Sequence, residues 1–178
     1  EQVEPGCNGL IFLQYLASSA EPNWDAFARG TFVGFNLGHG RADMARAILE
    51  GVTFEAREII DRMISNGMAV NEICLSGGGS KGAVWCQIQA DIYGKPCTSL
   101  DVEEATTLGA AILAALGAGL FDDVEQAVDK MLKRKKVYEP NMENHALYNK
   151  YFELYKKSYQ ALSSAGIYED LVKTALNK

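Results

Sequence analysis

The chain has 178 residues, with 17 Lys plus Arg against 23 Asp plus Glu, a formal net charge of −6 and 48% apolar residues. That length supports one domain with a substantial core, and this mix of apolar and charged residues excludes wholesale disorder. An acidic chain of this kind is no general binder of nucleic acid; its one basic run, Lys133-Arg134-Lys135-Lys136, reads as a solvated face.

The longest apolar stretch, residues 108–121, is rich in Gly and Ala and too short to span a bilayer. No secretory leader is visible, so a soluble, cytoplasmic protein with no membrane partner is expected. Cys7, Cys74, Cys86 and Cys97 lack CxxC spacing, and His39 and His145 stand far apart. Neither a metal cluster nor a disulfide framework is expected; the thiols should be reduced and mostly buried. The chain opens Glu1-Gln2-Val3 without Met, which points to a processed product or a piece of a longer protein.

In chain order, residues 6–17 hold the apolar run Leu10-Ile11-Phe12-Leu13, compatible with a buried strand, and residues 18–28 form a polar loop. Gly30-Thr31-Phe32-Val33-Gly34-Phe35 predicts a second strand, and Gly38-His39-Gly40 a turn. A long helix is predicted over 41–65, with Ala45, Ile48, Leu49, Val52, Ala56, Ile59, Ile60 and Met63 on its apolar face and Asn66-Gly67 as its stop. Glu72-Ile73-Cys74-Leu75 reads as a short strand, Ser76-Gly77-Gly78-Gly79-Ser80-Lys81-Gly82 as a glycine-rich turn, and 83–93 as a helix with Trp85, Ile88 and Ile92 inward.

Cys97-Thr98-Ser99-Leu100 predicts another strand, and a helix follows over about 102–118 with Leu108, Ile112, Ala115 and Leu116 on its stripe. A further helix starts near Asp122-Asp123, where acids favour the amino end. The last clear helix, about 143–164, carries Tyr148, Tyr151, Phe152, Tyr155, Tyr159 and Leu162, an aromatic stripe that reads as core. The whole is an α/β domain over 1–178, a short mixed β-sheet packed by long helices, with 165–178 as a candidate tail.

Strand, glycine turn and helix is an arrangement that lets bare backbone approach a ligand, with free N–H groups at the helix start. A Walker A loop fails, because Gly82 is followed by Ala83 where that motif needs Lys and then Ser or Thr. A dinucleotide fingerprint is met by Gly77, Gly79 and Gly82, with Asp101 about twenty residues on; against it, Pro96-Cys97-Thr98-Ser99-Leu100 is polar for a doubly buried strand. A turn that only packs a helix on a sheet, and a nucleotide loop of the actin-like kinase type, complete the alternatives.

Four stretches bear on that choice. Asn8-Gly9-Leu10-Ile11-Phe12-Leu13-Gln14-Tyr15-Leu16 is the first, and Gly30-Thr31-Phe32-Val33-Gly34-Phe35 with Asp43-Met44-Ala45-Arg46-Ala47-Ile48-Leu49-Glu50-Gly51 the second. Ser76-Gly77-Gly78-Gly79-Ser80-Lys81-Gly82-Ala83-Val84-Trp85-Cys86-Gln87-Ile88-Gln89-Ala90-Asp91 and Glu104-Ala105-Thr106-Thr107-Leu108-Gly109-Ala110-Ala111-Ile112-Leu113-Ala114-Ala115 complete them. In this order they resemble the C-terminal domain of FGGY-family carbohydrate kinases, most of all the xylulokinase branch.

The resemblance implies the second lobe of a two-lobe, actin-like (ribonuclease-H-like) ATPase fold, with ATP and Mg²⁺ bound in the cleft between lobes. Gly77, Gly78 and Gly79 would lie against the adenosine, and Ser80, Lys81 and Gly82 would open the helix beneath it. Lys81 either reaches a phosphate or stays solvated. The catalytic Asp and most sugar contacts would lie in an N-terminal lobe upstream of Glu1, roughly 300 residues long for two comparable lobes plus extensions. None of Asp25, Asp43, Asp91 or Asp101 matches the catalytic motif, so this chain alone is expected to be inert towards its sugar.

Two departures stand out. The family's Gly-Glu-Arg triplet reads Ser18-Ser19-Ala20 here, ahead of Pro22, which leaves the sugar open. Gly82 replaces an Asn of the glycerol-kinase-like members. Arg46 and Glu50, four apart on the long helix, read as a structural pair contributing a few tenths of a kcal/mol if exposed (~0.3). A lobe without its partner should expose apolar surface and self-associate, so a homodimer is a candidate state. Outside the family, a Rossmann-like NAD-binding domain and a non-catalytic nucleotide-binding module remain the alternatives.

Overall fold

A computed structural model of the chain describes residues 3–102 and 104–176. Two small sheets form in place of the one expected. The first pairs β1 (Ile11–Leu13) with β2 (Thr31–Val33) antiparallel, Phe12 opposite Phe32. Every β1 residue is buried, as an unbroken apolar run requires.

The second sheet has the order β3 (Ile73–Leu75), β4 (Cys97–Leu100), β5 (Arg134–Tyr138). β3 and β4 run parallel, joined by the crossover helix α2 (Ala83–Tyr93), and β5 returns antiparallel. The basic run therefore lies largely within an edge strand, where Lys and Arg suit an unpaired border. The sequence predicts only a solvated face there, and the structure adds the strand.

Helix α1 (Arg41–Ser65) ends at Asn66 and at Gly67, whose φ is +89°. It lies close on β1: a Cβ at Gly51 would collide with the carbonyl oxygen of Phe12. Its buried face differs from the expected stripe. Asp43, Ala47, Glu50, Gly51, Thr53 and Phe54 point inward, whereas Ile48 and Met63 are exposed.

Polar partners make this possible. Glu50 accepts from Arg46 Nε (2.7 Å), Tyr148 Oη (2.7 Å), the Gly6 N–H (3.2 Å) and the Cys7 thiol (3.4 Å). With Glu50 2% exposed, the Arg46 pair is a buried network; its removal from one side costs about 3–5 kcal/mol rather than tenths.

After β4 come α3 (Ala105–Gly117) and α4 (Val124–Met131), the latter capped by Asp123, which accepts from the Gln126 N–H at 2.8 Å. Helix α5 (Met142–Ser164) delivers the aromatic stripe to the core: Tyr148, Phe152 and Tyr155 pack with Phe54, Ile11, Leu13 and Tyr15. Phe54 meets Tyr155 at 5.5 Å and Phe152 at 5.8 Å between ring centroids, contacts each worth about 0.5–1.5 kcal/mol beyond area burial. The candidate tail is instead α6 (Ile167–Leu176), docked through the buried Tyr168.

Helix α2 joins the two halves. Ile88 and Ile92 enter the main core, while Cys86 and Ala90 pack with Leu75, Cys97 and Tyr138 under the second sheet. Strand β4, whose polar sequence argues against a doubly buried parallel strand, is nevertheless buried at Cys97, Thr98 and Ser99. Its hydroxyls are satisfied, Ser99 Oγ donating to the Lys136 carbonyl (3.2 Å) and Thr98 Oγ1 to Glu72 Oε2 (3.5 Å).

Candidate functional site

The glycine turn follows β3 at its carboxyl end, beside the carboxyl end of the parallel β4. That is where open α/β sheets place ligands, because the crossover leaves a crevice between the diverging chains. Gly77 has φ +72° and ψ −163°, a conformation that side-chain-bearing residues rarely adopt. A short 3-10 turn, Gly78–Lys81, follows, and Ser80 closes it by donating from N (3.2 Å) and Oγ (2.8 Å) to the Gly77 carbonyl.

The three central glycines do different work. Gly77 supplies the left-handed backbone. Gly79 makes room for Trp85: a Cβ there would stand 2.7 Å from the ring's Cζ3. Gly78 and Gly82 face open space, with nothing within 4 Å of an added Cβ. Those two therefore leave bare backbone for a ligand, the condition a flat base or a phosphate needs for close approach.

Two α2 side chains hold the turn. Trp85 Nε1 donates to Thr53 Oγ1 on α1 (3.1 Å), whose hydroxyl donates to the Leu49 carbonyl (2.7 Å). The Cys86 thiol donates to the Ser80 carbonyl at 3.4 Å and reaches the Gly79 carbonyl at 3.9 Å. Burial raises this thiol's pKa, which keeps it protonated and a donor at neutral pH. Gly82 caps α2 without a side-chain bond, so the helix start carries its dipole without an acidic neighbour in the first turn.

Gly77, Ser80 and Lys81 open onto a groove of about 720 Å³ shared with residues 99–102 and with Lys135, Lys136 and Tyr138. Asp101, the candidate ribose acid of a dinucleotide site, lies in the same groove, 3.9 Å from Lys135 Nζ. The strand–helix–strand unit of that alternative is thus present, but the sheet ends at the antiparallel β5. The two lysines were not expected beside the glycines, because only the β4–β5 pairing, Ser99 opposite Lys136, brings them there. No alternation announced the strand: Arg134 to Val137 are all exposed and only Tyr138 is buried.

A second cavity of about 390 Å³ involves Arg46, Gln87, Asp91 and Asn144. These four side chains are already engaged: Asp91 accepts from Gln87 Nε2, the Asn141 N–H and Asn144 Nδ2, each at 2.8 Å, and Arg46 belongs to the Glu50 network. Among the described residues, no cluster of three or more His, Cys, Asp or Glu side chains could hold a metal. No helix among them is long and apolar enough to cross a membrane.

Residues 1–118 match the sequence model of the FGGY family of carbohydrate kinases, C-terminal domain. A xylulose kinase of Staphylococcus epidermidis is 43% identical over 155 residues, covering 87% of this chain and 31% of that protein. Among solved structures, the ligand-bound xylulose kinase of Lactobacillus acidophilus superposes with a TM-score of 0.83 at 35% identity, covering 90% of this chain and 33% of that one. A gluconate kinase from the same organism gives 0.82 at 35%, covering 90% and 32%. The chain spans about a third of the length of these relatives.

Proposed function

Because the chain belongs to the FGGY family of carbohydrate kinases, we propose that it is the C-terminal, nucleotide-binding lobe of an ATP-dependent sugar kinase acting on a xylulose-like ketose. Its fold is that of an actin-like ATPase domain, and the dinucleotide-binding and non-catalytic alternatives give way to the family. The observation that carries the reading is the open glycine turn at the carboxyl ends of two parallel strands, inside the segment that matches the family.

Gly77, Gly78, Gly79, Ser80, Lys81 and Gly82 form the nucleotide turn. Gly78 and Gly82 offer backbone to the adenosine, while Gly77, Gly79 and Ser80 hold the turn's shape. ATP is the phosphoryl donor, and Mg²⁺ travels on its phosphates, as this ion usually does, rather than in a cage of this lobe's carboxylates. The carboxylate that takes the proton from the sugar hydroxyl is assigned to a lobe that this chain lacks. The xylulose kinases among the relatives support the ketose, whereas the gluconate kinase superposes as well as its xylulose counterpart. The sugar contacts are therefore placed in the other lobe too.

Helix α3 is where that lobe would dock. The helix carries no charged residue, yet only Ile112 is buried, and Leu113 is 68% exposed. A helix apolar all round belongs in an interior, so its free face is assigned to the N-terminal lobe; without that lobe the same face drives self-association. A cytoplasmic setting suits the four unpaired thiols.

The test is an ADP-release assay on the longer protein that contains this chain, with ATP, Mg²⁺ and either D-xylulose, glycerol or gluconate. Xylulose should be phosphorylated fastest, and the 178-residue chain alone should turn over none of the three. No transfer to any of them by the longer protein, or sugar phosphorylation by the bare chain, would overturn the proposal.

A further inference from the structure

Residues 23–27 and the turn between α5 and α6 frame a cavity of about 460 Å³ that shares no residue with the groove beside the glycine turn. Trp24, Phe27, Tyr159 and Tyr168 bring aromatic rings to its lining, Asp25 and Glu169 bring carboxylates, and no Lys or Arg lines it. Trp24 is 76% exposed, yet it is firmly held. Its backbone is left-handed (φ +50°), its N–H donates to the Ala20 carbonyl (2.6 Å), and its indole Nε1 donates to Glu21 Oε2 (2.9 Å). Glu21 is fixed in turn by Arg62 at 2.8 Å. An exposed π face in a set orientation lets a ligand stack with little ordering of the protein.

Asp25 supplies the charge. Its Oδ1 accepts from the Phe27 and Ala28 N–H groups (2.9 and 3.1 Å) and its Oδ2 from the Tyr159 and Ser163 hydroxyls (3.0 Å each). All four donors are neutral, so they orient the carboxylate without cancelling its charge. Burial works against ionisation, but these bonds prevail and lower the pKa, so Asp25 is an anion at neutral pH. Glu169 shares its charge with Lys173 at 2.6 Å. The amino end of α6 opposes with about half a positive charge, less than Asp25 alone provides.

We propose that this cavity binds a small alkylated ammonium ion, its methyl groups against the Trp24 ring and its charge towards Asp25. The lining selects that class. An anionic ligand would meet Asp25 with no cation in the lining to receive it. A hard metal ion would need oxygen lone pairs that four donors already occupy. An alkylated ammonium needs neither a free lone pair nor a hydrogen bond, only an aromatic face and a negative potential, and it is weakly enough hydrated to give up its water. The site stands on this chain's residues and is independent of the kinase reading.

Titration calorimetry with choline and its uncharged isostere 3,3-dimethylbutan-1-ol tests it, on the longer protein that contains this chain and on its Trp24→Leu and Ala26→Lys forms. Ala26 and Trp24 are both exposed on the cavity's rim, and far-UV circular dichroism checks that these changes leave the fold intact. Choline should bind about tenfold more tightly than the isostere. Trp24→Leu, which keeps an apolar surface but removes the π face, should weaken choline about fivefold. Ala26→Lys, which adds a like charge, should weaken it by a similar factor, and neither change should alter the isostere. No choline binding to the parent protein, equal binding of the two compounds, or choline binding indifferent to both substitutions would overturn the site.

Discussion

Two neighbouring glycines should respond oppositely to the same added methyl group. In Gly79→Ala the new Cβ would lie 2.7 Å from Trp85 Cζ3, 3.2 Å from Cε3 and 3.3 Å from Cη2. The ring cannot simply swing away, since its Nε1 is bonded to Thr53 and its body packs on the main core. Overpacking of this kind costs about 1–3 kcal/mol, offset by about 0.4–1 kcal/mol from the stiffer unfolded chain. A net loss of about 1–2 kcal/mol lowers Tm by roughly 2–8 °C in a domain of this size. Gly78→Ala meets nothing within 4 Å and should leave Tm unchanged or slightly raised. Nucleotide affinity should fall with the bulkier Gly78→Val, because the side chain then stands where the base approaches. Thermal unfolding followed by circular dichroism, with ATP calorimetry on each variant, separates the two roles. Equal Tm values for Gly78→Ala and Gly79→Ala would refute the division of labour within the turn.

Glu50→Ala should destabilise the chain by about 3–5 kcal/mol, read by urea unfolding, because it strands the Arg46 guanidinium beside Tyr148 in the interior; a loss below about 1 kcal/mol would show that water replaces the carboxylate there. Asp25 has its pKa lowered: burial opposes the shift, but the Phe27 N–H, the Ser163 and Tyr159 hydroxyls and the Ala28 N–H outweigh it. A depressed carboxyl pKa stabilises the fold above the unfolded value of about 3.9 and loses that contribution as pH falls through the lower folded value. Asp25→Asn should therefore flatten the acid limb of a stability–pH profile, and an unchanged limb would refute the assignment. Cys7, Cys86 and Cys97 are buried and Cys74 is exposed. Burial first, then the neighbouring Cys86, pushes the Cys97 thiol up to about 12. A thiol reagent at neutral pH should label one cysteine per native chain and four in denaturant; fast labelling of a second native thiol would contradict the packing beneath the turn.

Period and punctuation made most elements legible. Helix α1 is read from its 3.6-residue pattern between Gly40 and Gly67, and α2 from the turn before it and Gly94 after it. What the pattern could not show is which face of α1 turns inward. The apolar stripe and the buried face differ because Asp43 and Glu50 find their partners far away in sequence: Asn8 at 3.1 Å for the first, Tyr148 and Gly6 for the second. Strand β4 misled for the same reason. Thr98 and Ser99 look too polar for a doubly buried strand until Glu72, just before β3, and the Lys136 carbonyl on β5 supply partners for their hydroxyls. Basic strand β5 is held by cross-strand pairing rather than by an apolar run, and α6 hangs on one inward tyrosine, so neither stood out by periodicity.

The same non-local dependence explains the layout of the site. Glycines recognised from spacing set the backbone, but their shape is enforced by Trp85 through Thr53 on α1 and by Cys86 from beneath. Both are on α2, whose alternate faces bind the two cores together. A shift of α2 by even a fraction of a turn would move Trp85 off Gly79 and the thiol off Ser80 together, because both are anchored to one rigid helix. The turn's geometry is therefore a property of the whole domain, and substitutions deep in either core, at Ile92 or at Ala90, should reach the groove beside the turn through α2 without touching it.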